Sequence, residues 1–210
     1  MDGLLLDSER ICRLHFQAAC EFVGIECDLD VYSRCIGATG DITRQILIDH
    51  HGADFPYDEV SARWWETYHE EVLVNPVPVK PGAREWLTLV KQNDLPLALA
   101  TSTIRATAQT KLRLAGLDHF FDELVCGRET PRGKPHPDPY LLACQKLGQA
   151  AVDCWACEDS DNGTQAAIDA GLTVFQVPDL LAPSEQTRAH GHRIVGSLVE
   201  VIDYFHLAHR

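Results

Sequence analysis

No apolar run in this chain of 210 residues approaches the ~18 that a membrane span needs, and no basic-then-apolar stretch opens the sequence. Positive charge is scarce as well. The 18 Lys+Arg stand against 31 Asp+Glu, a formal net charge of −13, which argues against a nucleic-acid backbone or an anionic membrane as partner. A chain of this balance that handles a phosphorylated molecule must create positive potential locally, with a metal ion or one well-placed lysine. Repeats and low-complexity tracts are absent. The eight cysteines follow no disulfide framework, so they read as free buried thiols in a reducing, cytoplasmic setting. One pair, Cys154-Trp155-Ala156-Cys157, has the C-x-x-C spacing. On a strand, positions three apart point to opposite faces, which argues against a redox or zinc role.

What is present suits a soluble globular protein, with 45% hydrophobic and 23% charged residues and length enough for one large domain or a domain with an insert. From Gly82 onward short apolar runs alternate with helical stretches. Strands are predicted over Leu95–Ala100, Leu124–Cys126, Cys154–Cys157 and Thr173–Val177. The helices between them, over Ile104–Ala115, Pro139–Leu147 and a stretch ending at Ala170, each stop at a glycine. Near-continuous apolar strands separated by helices imply an α/β, Rossmann-like parallel sheet covered on both faces.

Residues 8–78 read differently. Ile11, Leu14, Ala18 and Phe22 recur at helical spacing and stop at Gly24, and further helical stretches fall at Val31–Ile36, Ile42–His50 and Val60–Leu73. No strand pattern interrupts them. The expected organisation is a core of residues 1–7 and 79–210 with a helical insert over 8–78, re-entered through the proline-rich connector Asn75–Gly82. The two crossings, near Asp7-Ser8 and Val77–Val79, would act as hinges of a mobile lid.

Four candidate sites fall in loops that follow a strand's carboxyl end, the edge at which open parallel sheets bind ligands. Asp2 follows what remains of a first strand; Thr101-Ser102 follows Leu95–Ala100; Lys134, in Gly133-Lys134-Pro135-His136-Pro137-Asp138, follows Leu124–Cys126; Glu158-Asp159-Ser160 follows Cys154–Cys157. Each alone reads as a helix cap or a solvated turn, and Asp138 itself is expected to cap the next helix. The four in this order are hard to obtain by accident.

The opening run MDGLLLDSE closely resembles the first motif of the haloacid dehalogenase superfamily, Phe-Asp-x-Asp-Gly, with Met1 at x and Asp2 as the second aspartate. With Thr101, the Gly-Lys-Pro-x-Pro-Asp around Lys134, and Glu158-Asp159, the resemblance covers nearly the whole chain. It is to the branch that includes β-phosphoglucomutase and small sugar-phosphate phosphatases, and the insert matches that branch's cap. The resemblance implies a magnesium-dependent phosphatase acting through an aspartyl-phosphate on a small phosphorylated metabolite, a sugar phosphate in class, as a monomer. It further implies Asp2 as general acid/base and, through its backbone carbonyl, a metal ligand. Thr101, Ser102 and Lys134 would hold the transferring phosphoryl group, Asp159 the metal, and Glu158 the metal's water shell. The nucleophilic aspartate is expected directly ahead of Met1, on a buried strand. Two alternatives stay open. A phosphosugar mutase needs basic cap residues for a second phosphate, and in the loop Cys35–Asp41 the matching positions fall on Ile36 and Gly40, with Arg34 and Arg44 nearby. If Met1 is the true start, the chain is a non-enzymatic binding protein.

Overall fold

The computed structural model describes residues 1–38 and 40–208. The chain divides into two compact units, Met1–Asp7 with Pro76–Arg210, and Ser8–Asn75. The second unit is helical: α1 (Ser8–Phe22), α2 (Leu29–Cys35), α3 (Gly40–His51) and α4 (Tyr57–Val74). Helix α1 buries Cys12, Phe16, Ala19 and Cys20, and α4 buries Val60, Trp64, Tyr68 and Val72, each a stripe at spacings of three or four. The stripes face one another. Trp64 packs edge-on to Phe16 at 4.9 Å and donates its indole N–H to the Cys12 carbonyl at 2.9 Å, while Phe16 lies 5.1 Å from Tyr32 of α2. The Asp28 carboxylate caps α2 by accepting from the N–H groups of Asp30 and Val31.

The larger unit continues with α5 (Ala83–Gln92), β1 (Ala98–Ala100), α6 (Arg105–Leu114), β2 (Glu123–Val125), α7 (Asp138–Leu147), β3 (Trp155–Glu158) and α8 (Asp161–Asp169). It ends with β4 (Thr173–Gln176), α9 (Glu185–Arg188), β5 (Arg193–Ile194) and α10 (Leu198–Ala208). The five named strands pair in parallel, with Leu99 opposite Leu124 and Cys157 opposite Phe175, as the apolar strand–helix alternation demands. Helix α7 packs on β1 and β2, and α8 on β3 and β4.

The structure differs from the sequence reading at three points. Strand β1 starts at Ala98, three residues later than expected, because Pro96 has no N–H to give and the Leu97 N–H goes to the Asp122 side chain at 2.8 Å. Asp138 does not cap α7: Pro137 takes the cap position, and Asp138 forms an ion pair with Arg132 at 2.7 Å. The strands form two sheets among the described residues, β1–β2 and β3–β4–β5, rather than one. A cavity of about 330 Å³ is lined by Leu99 and Ala100 of β1, by Ala156 and Cys157 of β3, and by Met1 and Leu5.

Residues 1–7 are tied into this unit by their backbone. Leu6, fully buried, bridges to Asp2 and Val79; the Lys80 N–H donates to the Leu5 carbonyl and the Asp7 N–H to the Pro78 carbonyl, both at 2.9 Å.

Candidate active site

The loop around Asp2 is a tight turn. The N–H groups of Leu5 and Leu6 converge on the Met1 carbonyl at 2.9 and 3.1 Å, and Gly3 takes φ = +74°, which a side chain would resist. The Asp2 carboxylate accepts from the Thr103 hydroxyl at 2.8 Å on one oxygen and forms an ion pair with Lys111 of α6 through the other. Gly3 also permits a close approach. A Cβ there would overlap the carboxylate of Asp159, with its Cγ at 2.9 Å, and would stand 3.5 Å from Oδ2 of Asp179. Asp179, just past β4, is paired with Lys80.

Thr101 and Ser102 sit in the turn between β1 and α6. Thr101 is buried, its N–H donates to the Val125 carbonyl at 2.9 Å, and its hydroxyl accepts from the Thr103 N–H at 3.2 Å, leaving the hydroxyl proton free to aim elsewhere. Ser102 is exposed, with its carbonyl against Gly127, whose N–H donates to the Thr103 carbonyl at 2.9 Å. A Cβ on Gly127 would collide with that Ser102 carbonyl, and backbone yields less readily than the end of a flexible side chain. Gly127→Ala is therefore expected to cost about 1–3 kcal/mol, the scale of overpacking. The measurement is urea unfolding, with a lower midpoint at unchanged slope.

Lys134 folds back under the sheet edge. Its ammonium donates to the Ala100 carbonyl at 2.9 Å, pairs with Glu158 at the end of β3, and lies 5.0 Å from the centre of the Tyr140 ring. The Tyr140 hydroxyl donates to the same carboxylate. Burial pushes the Glu158 carboxyl up, but the charge of Lys134, then that of the amino terminus, and the hydrogen bonds from Lys134 and Tyr140 outweigh it and hold Glu158 below the usual carboxylate range. Burial first, and then the Glu158 charge, move the Tyr140 phenol well above its ordinary value, so it stays a donor.

A continuous path thus joins the six sequence-predicted residues: Thr101 follows Ala100, which holds Lys134; Lys134 holds Glu158; Asp159 abuts Gly3; and Asp2 returns to the Thr101-Ser102-Thr103 turn. Besides Thr103, two residues past Thr101, four partners escaped the sequence reading. Lys111 carried a usable signal, because it shares the buried face of α6 with Ala108 and Leu112, where a lysine is costly unless paired. Tyr140, Lys80 and Asp179 carried none, since only the folded chain brings them to these carboxylates. The C-x-x-C pair stays outside the chemistry. Both thiols are free, and burial, followed by the nearby Glu158 charge, pushes Cys157 up to about 12, far from a reactive thiolate.

The model of the haloacid dehalogenase-like hydrolases matches residues 1–177. The chain belongs to that family. A protein of Drosophila melanogaster, provisionally described as a pseudouridine-5′-phosphatase, is 30% identical over 95% of this chain and 88% of its own length. A phosphorylated-carbohydrates phosphatase of Thermotoga maritima is 32% identical over 82% of this chain and 79% of its own. A solved Thermotoga maritima structure, provisionally described as a β-phosphoglucomutase, superposes with a TM-score of 0.81 at 28% identity, over 98% and 95% of the two chains. The hydrolase is of the phosphomonoester-cleaving kind, with the α/β parallel-strand architecture of the family.

Proposed function

We propose that this hydrolase releases phosphate from a small phosphorylated carbohydrate, using magnesium and an aspartyl-phosphate. The observation that carries the reading is the Lys134–Glu158 pair at the carboxyl ends of β1 and β3 in a chain of net charge −13. Lys134 supplies the local cation that the composition made necessary. The first two relatives described above act, by their descriptions, on a pseudouridine phosphate and on phosphorylated carbohydrates, which supports the substrate class.

The donor set fits a hard cation. Among the described residues no three His, Cys, Asp or Glu side chains form a ready cage, but magnesium keeps several waters and takes only one or two carboxylates. The absent Cβ of Gly3 leaves room for the Asp159 carboxylate beside the Asp2 backbone. In this reading Asp159 and the Asp2 carbonyl would hold the metal and Glu158 would orient its water shell. Bound there, the metal screens phosphate from the attacking carboxylate.

The residues then divide the work. A carboxylate oxygen of the aspartate expected directly ahead of Met1 attacks phosphorus, the bond from phosphorus to the sugar oxygen breaks, and Asp2 gives that oxygen its proton. Asp2 then takes a proton from water, whose oxygen attacks phosphorus, freeing phosphate and the nucleophile. Thr101, Ser102 and Lys134 hold the phosphoryl oxygens throughout. Residues 1–7 and 79–210 form the catalytic core in this proposal and residues 8–78 the cap, in a monomeric, cytoplasmic protein. The mutase alternative is disfavoured by Arg44, which pairs with Asp58 at 2.6 Å and lies over the Tyr57 ring, occupied within its own unit.

The test is phosphate release by the enzyme form that carries the expected aspartate. The panel would contain glucose 1-phosphate, glucose 6-phosphate, fructose 1-phosphate, ribose 5-phosphate and 5′-nucleotides. Magnesium-dependent release from a sugar phosphate, lost on chelation, is the expected result. Full activity in EDTA would overturn the mechanism, and interconversion of the glucose phosphates without release would favour the mutase.

A further inference from the structure

We infer that Lys111 is a positioning residue for Asp2, which it holds in the orientation for proton transfer; the inference rests on the acid/base role proposed for Asp2. Helix α6 turns Ala108, Lys111 and Leu112 inward, and the Lys111 side chain is only 2% exposed. Its stem packs as an aliphatic chain would, and its ammonium ends on Oδ1 of Asp2. The Thr103 hydroxyl holds Oδ2 at 2.8 Å. The carboxylate is therefore gripped at both oxygens, from a helix and from the turn that precedes it, while the tight turn at Met1–Gly3 fixes its backbone. An ionised carboxylate offers about four lone-pair sites, so the grip leaves room for a proton to be passed.

Stability alone does not account for a lysine at this core position. Replacing a buried ion pair with apolar side chains of similar volume is often neutral or stabilising. The pair is better explained by what it does to Asp2, whose backbone turn would leave the side chain to choose its own rotamer. Placement matters here because proton transfer needs the donor within hydrogen-bond reach of the leaving oxygen.

Leaving groups separate this role from a merely structural one. An alkoxide needs a proton as it departs; p-nitrophenolate does not. In the enzyme form described above, Lys111→Met is expected to lower kcat/KM about 100-fold for the most rapidly cleaved sugar phosphate of the panel, within the usual reach of general acid catalysis. For p-nitrophenyl phosphate the loss in kcat/KM should be under about fivefold, because kcat/KM reports the transfer step alone and not the later attack of water that Asp2 also serves. Asp2→Asn should show the same bias, and adding Lys111→Met to it should change the bias by less than about twofold, since the lysine acts through Asp2. Equal losses on both esters from Lys111→Met, or a further loss in the double variant, would overturn the inference while leaving the acid/base reading intact. Absence of the bias in Asp2→Asn would overturn that reading itself. Where circular dichroism shows Lys111→Met unfolded, Lys111→Gln takes its place; it keeps a donor and should show a smaller loss with the same bias.

Discussion

Lys134→Met is expected to lower kcat/KM by about 10²–10³, the scale for removing one preorganised electrostatic contact to a transferring group. It should also destabilise the fold, because it leaves Glu158 buried without the ammonium that pairs with it. Breaking a buried pair from one side costs about 3–5 kcal/mol, a large share of a total stability of about 5–15 kcal/mol. The two effects separate in the double variant Lys134→Met/Glu158→Gln. Removing the stranded charge should recover most of the stability and none of the activity. A double variant that regains turnover would show that Lys134 serves only to neutralise Glu158.

The same pair gives a pH signature. In the intact protein Glu158 is held below its ordinary value, so its stabilisation is complete above the unfolded value of about 4.3 and is lost as pH falls through the lower folded value. Asp122, depressed by its bond to Lys91, and Glu129, depressed by its bond to Arg105, act in the same direction. Acid unfolding should steepen below about pH 4. In Lys134→Met the charge and hydrogen bond of Lys134 are lost while burial remains, so the Glu158 carboxyl rises from its value in the parent. The stability gap between variant and parent should then be widest at neutral pH and shrink as acid protonates Glu158. A gap independent of pH would mean that Glu158 carries no buried charge.

The strand–helix alternation from Gly82 onward was legible because α6, α7 and α8 each stop at a glycine and β1 to β4 are short, largely apolar runs. The helix predicted over Ile104–Ala115 forms as Arg105–Leu114, and that predicted over Pro139–Leu147 as Asp138–Leu147, with Gly148 left-handed at its end. Strand β5 was not legible: two residues, Arg193 and Ile194, carry no periodicity and become a strand only by pairing with Phe175 and Gln176. Loop positions of Asp2, Thr101, Lys134 and Glu158-Asp159 could be read because a strand end dictates where its next residue emerges. What each side chain meets there could not. The expectation of one well-placed lysine understated the electrostatics, since Lys80, Lys111 and Lys134 each neutralise a carboxylate of the cluster. Sequence distance hides such pairs: Lys111 and Asp2 are 109 residues apart and Lys80 and Asp179 are 99.

Asp159→Asn is expected to abolish phosphate release, a loss of about 10³ or more, because it removes the carboxylate that both balances the metal and fixes its place. The substitution preserves shape while turning one acceptor oxygen into an NH2 donor, so the fold should be retained. Its counterpart lies in the opposite wall of the site. Gly3→Ala leaves Asp159 chemically intact but places a methyl group where that carboxylate now lies, on a backbone at φ = +74° that alanine resists. Both variants should therefore fail in the same way: a magnesium requirement raised by at least about tenfold, with calorimetry reporting weaker binding of magnesium alone. If Asp159 acted only through packing, Asp159→Asn would bind magnesium as the parent does, and Gly3→Ala would be the more damaged of the two. Equal magnesium affinity in parent and Asp159→Asn would remove Asp159 from the metal site and with it the charge balance on which the phosphatase reading depends.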